Sequence, residues 1–304
     1  VRKQAEQLVD TMNEIHGVHS GFRAVHAKGL CCKGTFIATD EAKAVSVAAH
    51  LQGTEVPVTV RFSNGAGKPT RADGARDERG IAVKFHLADG TTTDMVGLTL
   101  PVFFVRTPED FLALLEVQRP DPETGKPDLD RVAAFAAEHP ETERAFGFLM
   151  FTMAPASFAN CTFHGIHAFA YSGPDGMKRW IRYSWVPRAG EATHTDEETR
   201  ALGRDYLRGE LIERLERGPI EFDLEFQIGE EGDDPTDPTT PWPEERRTVS
   251  AGTLTVTEFT DHLCDEMIFD PGRLTEGIER SDDPILHMRS EAYSVSYERR
   301  MGSS

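Results

Sequence analysis

The sequence predicts an α+β chain built on an antiparallel β-barrel with inserted and flanking helices. Strands with two unlike faces recur along it: Val58, Val60 and Phe62 alternate with Thr59, Arg61 and Ser63, and the same period of two returns in Ile81, Val83, Phe85 and Leu87. It appears again in Ile181, Tyr183 and Trp185, in Ile220, Phe222, Leu224, Phe226 and Ile228, and around Leu254 and Val256. Helical signals interrupt this pattern in blocks. A length of 304 residues is ample for one buried core. Closing such strands into a barrel removes sheet edges and can hold one ligand at the mouth.

In chain order, Leu8, Val9, Met12 and Ile15 sit at helical spacing ahead of Gly17, so residues 1–20 are expected to form a helical N-terminal arm that docks on the body of the chain or contacts a partner. Strands follow from Gly34. Thr107-Pro108-Glu109-Asp110 joins a capping threonine, proline at the first helical position and acids in the first turn, which predicts a helix through Phe111 and Leu115. A pair of helices is expected over 128–152, split at Pro140. Ser172-Gly173-Pro174-Asp175-Gly176 is a turn between two strands. Thr195-Asp196-Glu197-Glu198 is a capping box that opens one helix running to Gly218, with Leu202, Tyr206, Leu207, Leu211 and Leu215 inward. The acidic, proline-rich stretch from Gly229 to Arg247 reads as a long surface loop pinned by Trp242-Pro243. No internal repeat is visible, and one domain over 1–304 is expected.

Net charge of −18 argues against nucleic acid, because phosphate backbones reward clustered Lys and Arg and no such run occurs. No apolar run is long enough for a membrane span, and no basic stretch leads an apolar core at the N-terminus. Cys31, Cys32, Cys161 and Cys264 form no C-x-x-C pair, and neighbouring Cys31 and Cys32 make no ordinary bridge, so four reduced thiols in a cytoplasmic protein are expected.

The chemistry gathers around Arg23-Ala24-Val25-His26-Ala27-Lys28-Gly29, since histidine is the side chain that exchanges protons near neutral pH. This stretch is followed in order by Val60-Arg61-Phe62-Ser63, Arg76-Asp77-Glu78-Arg79-Gly80-Ile81-Ala82-Val83-Lys84-Phe85, Asp94-Met95-Val96-Gly97, Pro101-Val102-Phe103-Phe104-Val105-Arg106 and Arg289-Ser290-Glu291-Ala292-Tyr293. In that order the segments resemble the haem catalases. The resemblance implies a catalase-like antiparallel β-barrel that binds haem b. The chain is short for the family, lacking the helical domain that follows in ordinary catalases, and it looks like the reduced, catalase-related peroxidase branch.

The resemblance further implies His26 as distal catalytic histidine, Ser63 as its hydrogen-bonding partner and Tyr293 as axial ligand of the haem iron. Arg289 precedes Tyr293 by one helical turn, where its guanidinium can reach the phenol oxygen. His167 and Asp283 would hold Arg289. Arg23, Arg61 and Arg300 occupy the places of the propionate-binding arginines, and Val25, Phe103 and Phe111 those of the apolar residues against the haem. One departure stands out: Leu98 takes the place of the family's distal asparagine, which removes a hydrogen-bond donor from the peroxide site. The expected activity is therefore peroxidase, with hydrogen peroxide or an organic hydroperoxide as acceptor and an organic reductant as donor. A true catalase, a hydroperoxide isomerase of the allene-oxide-synthase type and a non-enzymatic haem-binding protein are the alternatives, and a homodimer is left open. His164-Gly165-Ile166-His167 is not expected to be a metal pair, since two residues three apart on a strand face opposite ways. Gly65-Ala66-Gly67-Lys68-Pro69-Thr70 lacks the spacing of a phosphate loop.

Overall fold

The structure, a computed structural model, describes residues 1–302. Helix α1 (Arg2–His16) is followed by strand β1 (Gly29–Ala38), helix α2 (Asp40–Val45), and strands β2 (Val56–Asn64), β3 (Arg79–His86) and β4 (Thr92–Leu98). Helices α3 (Pro108–Val117), α4 (Leu129–Glu138) and α5 (Glu143–Phe151) come next, then β5 (Ala154–Pro155), β6 (Phe163–Ser172), β7 (Lys178–Pro187) and β8 (Thr193–His194). The chain continues through α6 (Asp196–Ala201), α7 (Tyr206–Arg217), β9 (Ile220–Ile228), β10 (Thr248–Thr260), β11 (Ile278–Arg280) and α8 (Pro284–Gly302).

The large sheet runs β6-β4-β3-β2-β1-β10-β9-β7, and pairing of β7 with β6 closes it into an eight-stranded antiparallel barrel, with β11 added on β6. The predicted alternation places Val58, Val60 and Phe62 inside, where Phe62 stacks on Phe158 and meets Phe163 and Phe222. Phe36 packs edge-on against Phe85 and Trp185. The barrel is therefore filled by side chains, and the expectation of a ligand at its mouth is corrected. Arg61, Ser63, Ala82 and Val96 point outward, and the cavity lies between this outer face and helices α1, α3 and α8. Gly34 sits at a bulge in β1 because a Cβ there would lie 2.2 Å from the Thr255 carbonyl oxygen.

Helix α1 docks on its own chain, one of the two roles expected of the arm. Leu8, Val9 and Met12 are buried with Leu115, Met288 and Val295, and ion pairs Arg2–Glu298 and Arg299–Asp10 fasten it to α8. Gly17 ends it at φ 86°, as its position predicts. The split at Pro140 is present as a 3₁₀ turn between α4 and α5. The capping box at Thr195 forms, but the single helix expected behind it is two. Helix α6 stops at Leu202 because residues 203–205 dock elsewhere: the Asp73 N–H donates to the Arg204 carbonyl, and Lys28 pairs with Asp205. In the 229–247 loop, Trp242 is buried, donates to the Asp234 carbonyl and stacks under Arg182, while the Pro238 carbonyl accepts the Phe103 N–H.

The cysteine reading is corrected too. Cys31 and Cys264, 233 residues apart, form a disulfide because β1 lies beside the end of β10, with Cys31 opposite Thr260. Cys32 and Cys161 are free, and burial pushes both thiols up to about 12. The reading of four thiols, on which the cytoplasmic expectation leaned, no longer holds. Among the described residues no helix is long and apolar enough to cross a membrane.

Burial near the barrel wall makes a stability prediction. His50 is 1% exposed, lies against Phe85, and neither ring nitrogen has a partner. Burial pulls its pKa from 6.5 down to about 3, so its neutral form contributes stability above pH 6.5 that is lost as pH falls toward 3. His50→Leu removes an unsatisfied polar ring worth about 1 kcal/mol, and should raise Tm by about 2 °C at pH 7 and by more at pH 5. Thermal melts at both values check this. A variant that loses more stability than wild type on acidification would contradict it.

Candidate active site

The site is assembled from its helical side first. Asp283 caps α8, with Oδ1 accepting the Ile285 N–H at 2.8 Å, and its Oδ2 lies 2.6 Å from His167 Nδ1. His167 Nε2 lies 3.0 Å from Arg289 Nη1, so the guanidinium donates to Nε2 and Nδ1–H donates to Asp283. Burial lowers the His167 pKa, which keeps the ring in this neutral form. Arg289 then donates from Nε at 3.2 Å and Nη2 at 2.6 Å to the Tyr293 oxygen. The expected helix-turn spacing thus lets α8 aim charge-assisted donors at an oxygen that must carry negative charge when it binds a metal cation. His164 takes no part: its Nδ1 is paired with Ser184 on the other side of β6.

Facing this array is the loop before β1. His26 has φ 53°, the one positive value among the described non-glycine residues. Its N–H donates to the Gly65 carbonyl at 2.7 Å, its carbonyl accepts from Arg61 Nη2 at 2.8 Å, and its Nδ1 lies 3.1 Å from Ser63 Oγ. Gly80 leaves room for the ring, since a Cβ there would come within 2.9 Å of Ser63 Oγ and 3.1 Å of the imidazole. Burial first, then the positive fields of Arg61, Arg289 and Arg23, pull the His26 pKa down to about 3. The ring is thereby held neutral at pH 7.

The third group is cationic. Arg23 donates to the Cys264 and Met267 carbonyls at 2.9 and 3.0 Å, Arg61 to those of His26 and Ala27, and Arg300 to Met267 at 3.4 Å. Arg300 Nε is buried without a partner, and among the described residues none of the three has a carboxylate within 4.0 Å. Burial and then mutual repulsion pull Arg23 down to about 8, and burial and Arg300 pull Arg61 down to about 10. Buried like charges of this kind call for an anionic ligand.

Between these groups lies a cavity in two lobes of about 120 and 290 Å³ that share Val25, His26, Leu98 and Tyr293. The smaller is walled by Ala82, Val96 and Phe269 with the arginines at its end; Phe103 and Phe111, their rings 5.0 Å apart, line the larger. Every residue expected from sequence at the cavity is there, with His167 and Asp283 behind Arg289. Sequence reasoning missed Asp77 and Glu78, which line the larger lobe; two adjacent acids ahead of a strand were the available signal. It also missed the brace from the disulfide to the carbonyl that Arg23 binds.

A flat apolar group with two carboxylates and a metal suits this cavity: apolar walls, arginines at one end and the buried Arg300 Nε needing an acceptor, with a phenol oxygen poised for the metal. The fold and site are those of a haem protein built on an antiparallel barrel. The sequence profile of the catalase family matches residues 4–304, and the chain belongs to that family. It is 40% identical over 301 residues to a catalase-related peroxidase of Mycolicibacterium paratuberculosis, covering 98% of this chain and 95% of that one. A catalase-related peroxidase of Synechococcus elongatus is 37% identical over 298 residues, covering 97% and 88%. A solved fungal catalase superposes with a TM-score of 0.84 at 26% identity, and a bacterial catalase with 0.84 at 27%. The chain spans 60% and 58% of those two catalases and is 93% covered by each.

Proposed function

We propose that this protein is a peroxidase that reduces hydrogen peroxide and organic hydroperoxides with electrons from an organic donor, using haem b. The observation that carries the reading is the neutral His26–Ser63 pair facing the Arg289-bound Tyr293 across one cavity, with Leu98 beside His26. Two relatives named catalase-related peroxidase along nearly the whole chain support it. Haem b fits because the arginines would meet two carboxylates and no C-x-x-C-H stretch is present for covalent attachment.

Tyr293 would hold the iron, Arg23, Arg61 and Arg300 the propionates, and Val25, Phe103 and Phe111 the porphyrin faces. The bound haem supplies the redox chemistry that breaks the O–O bond. His26 supplies the proton transfer: with Nδ1–H given to Ser63, Nε2 keeps its lone pair, takes the proton from one peroxide oxygen and returns it to the other as the bond breaks. Apolar Leu98 lines both lobes of the cavity with His26.

Leu98 decides between donors. Dismutation requires a second hydrogen peroxide, a small polar molecule, to be held by polar groups at the same place, whereas an apolar wall favours an alkyl hydroperoxide. One amide hydrogen bond is worth about 0.5–1.5 kcal/mol net, so Leu98→Asn should raise the ratio of oxygen evolution to donor oxidation roughly two- to tenfold. An oxygen electrode and a chromogenic donor read the two rates. Wild-type oxygen evolution near 10⁷ M⁻¹s⁻¹ or above in kcat/KM, approaching the diffusional range, would make the protein a true catalase and overturn the reading.

A further inference from the structure

The larger lobe contains a carboxyl pair that the reaction as described does not use. Glu78 lies over Gly65, where a Cβ would come within 2.2 Å of Glu78 Oε1. Gly65 is the residue whose carbonyl holds the His26 N–H, and its own N–H donates to the Glu78 carbonyl at 2.9 Å. Glu78 therefore brackets, with backbone and side chain, the point that keeps His26 in its left-handed conformation. Beside it, Asp77 is nearly buried: its Oδ2 accepts the Ala66 N–H at 3.0 Å and lies 3.7 Å from Arg71 Nε and 4.0 Å from Arg79 Nη1.

Two adjacent carboxylates in such a place cannot both be charged cheaply. Asp77 already has the cations and the backbone donor of an anion, so the proton stays on Glu78, whose carboxyl donates to Asp77. Burial, the Asp77 charge and this hydrogen bond push the Glu78 carboxyl well above the usual carboxylate range, with Arg79 opposing. The other titratable groups at this wall are His26 and His16, both kept neutral by burial, and Arg71, which is exposed to solvent. The pair thus stands between the cavity and water.

We propose that Glu78 is the proton-holding residue of this lobe, a neutral carboxyl braced on Asp77 that delivers protons to the reduced peroxide oxygen when the donor supplies electrons alone. The inference rests on the peroxidase reading above. In the balanced reaction, ROOH takes up two electrons and two protons, the O–O bond breaks, and ROH and water form while two donor molecules each lose one electron. A phenol releases a proton with each electron. A donor that loses only an electron leaves both protons to come from solvent, and Glu78, whose neighbour Asp77 faces solvent-exposed Arg71, would pass them inward.

Glu78→Gln keeps the shape and the hydrogen bond to Asp77 but has no proton to give. With the haem-loaded protein, oxidation of an electron-only dye should fall by at least ~10-fold, a discount on the usual ~10² of positioned proton transfer, and fall much more than oxidation of a phenol. In wild type the dye rate should decline as pH rises through the raised pKa of Glu78, because the ionised carboxyl no longer donates, and the variant should lack that decline. Infrared spectra give a readout independent of turnover. A protonated-carboxyl carbonyl band should persist to pH values well above the usual carboxylate range, bleach as pH is raised further and be absent in Glu78→Gln. Equal loss with both donors, or a carboxyl band untouched by the substitution, overturns the proposal. If wild type oxidises neither donor, the proposal falls with the peroxidase reading, and a band that still titrates shows that it was the reading that failed.

Discussion

Tyr293→Phe should abolish tight haem binding or change the spectrum of what remains bound. Phenylalanine fills the same space, so packing along α8 is kept while the oxygen is lost, and with it the acceptor of both Arg289 donors. The guanidinium would then stand beside an apolar ring with its charge unanswered, a change that typically costs about 1–3 kcal/mol for a buried donor even before the metal bond is counted. Removing the supporting cation is the milder test. Groups behind a metal ligand usually contribute about 10- to 100-fold in metal affinity, so Arg289→Ala should weaken haem binding by that factor and Tyr293→Phe by more. Haem titration followed by absorbance measures both, and full occupancy with an unaltered spectrum in Tyr293→Phe would remove Tyr293 as the ligand.

His26→Ala should keep haem and react with peroxide at least ~100-fold more slowly, following the usual ~10²–10⁴ for positioned acid–base transfer. The backbone conformation offers a control. With φ at 53°, glycine suits this position better than alanine, so His26→Gly should be the more stable of the two variants while losing as much activity. Stopped-flow absorbance and thermal melts separate these effects, and a peroxide rate within a few-fold of wild type in either variant would leave the imidazole as packing. The pH profile has a definite sign. Because the folded pKa is depressed from 6.5 to about 3, the base stays competent as pH falls, while the stability its neutral form contributes above pH 6.5 is lost over that same interval. Peroxide reactivity of the folded protein should therefore hold as pH falls below 6.5 while its thermal stability declines, which stopped-flow rates and melts at each pH would check.

The legible parts of this molecule are those in which chemistry differs between neighbouring positions. Val58 to Ser63 declares two faces because one face meets phenylalanines and the other carries Arg61 and Ser63. Alternation does not say which face is concave, so the cavity was expected at the barrel mouth and lies against the barrel's outer wall. Arg289 and Tyr293 are readable as a pair because a helix brings residues four apart together. Cys31 and Cys264 are not, since only the pairing of β1 with β10 joins them. The capping box at Thr195 marks a helix start, whereas its early end is imposed by contacts of Arg204 and Asp205 with residues far away in the chain. His26 was found through its resemblance, but its left-handed backbone was invisible, being held by Gly65 and Arg61 rather than by its neighbours.

The Cys31–Cys264 bond also changes the connectivity of the site. Both His26 and Tyr293 lie outside the loop that it closes, one on each emerging arm, as do Arg23 and Arg300. Through the backbone alone, His26 and Tyr293 are separated by roughly 270 residues; through the sulfur bridge the route is roughly 35, which by loop-closure statistics lowers the entropy cost of bringing the two arms together by about 2 kcal/mol. In an unfolded but oxidised chain the arms that carry the opposed faces of the cavity are thus already tethered, at a high effective concentration of one for the other, whereas a reduced chain has to find that meeting across its whole length.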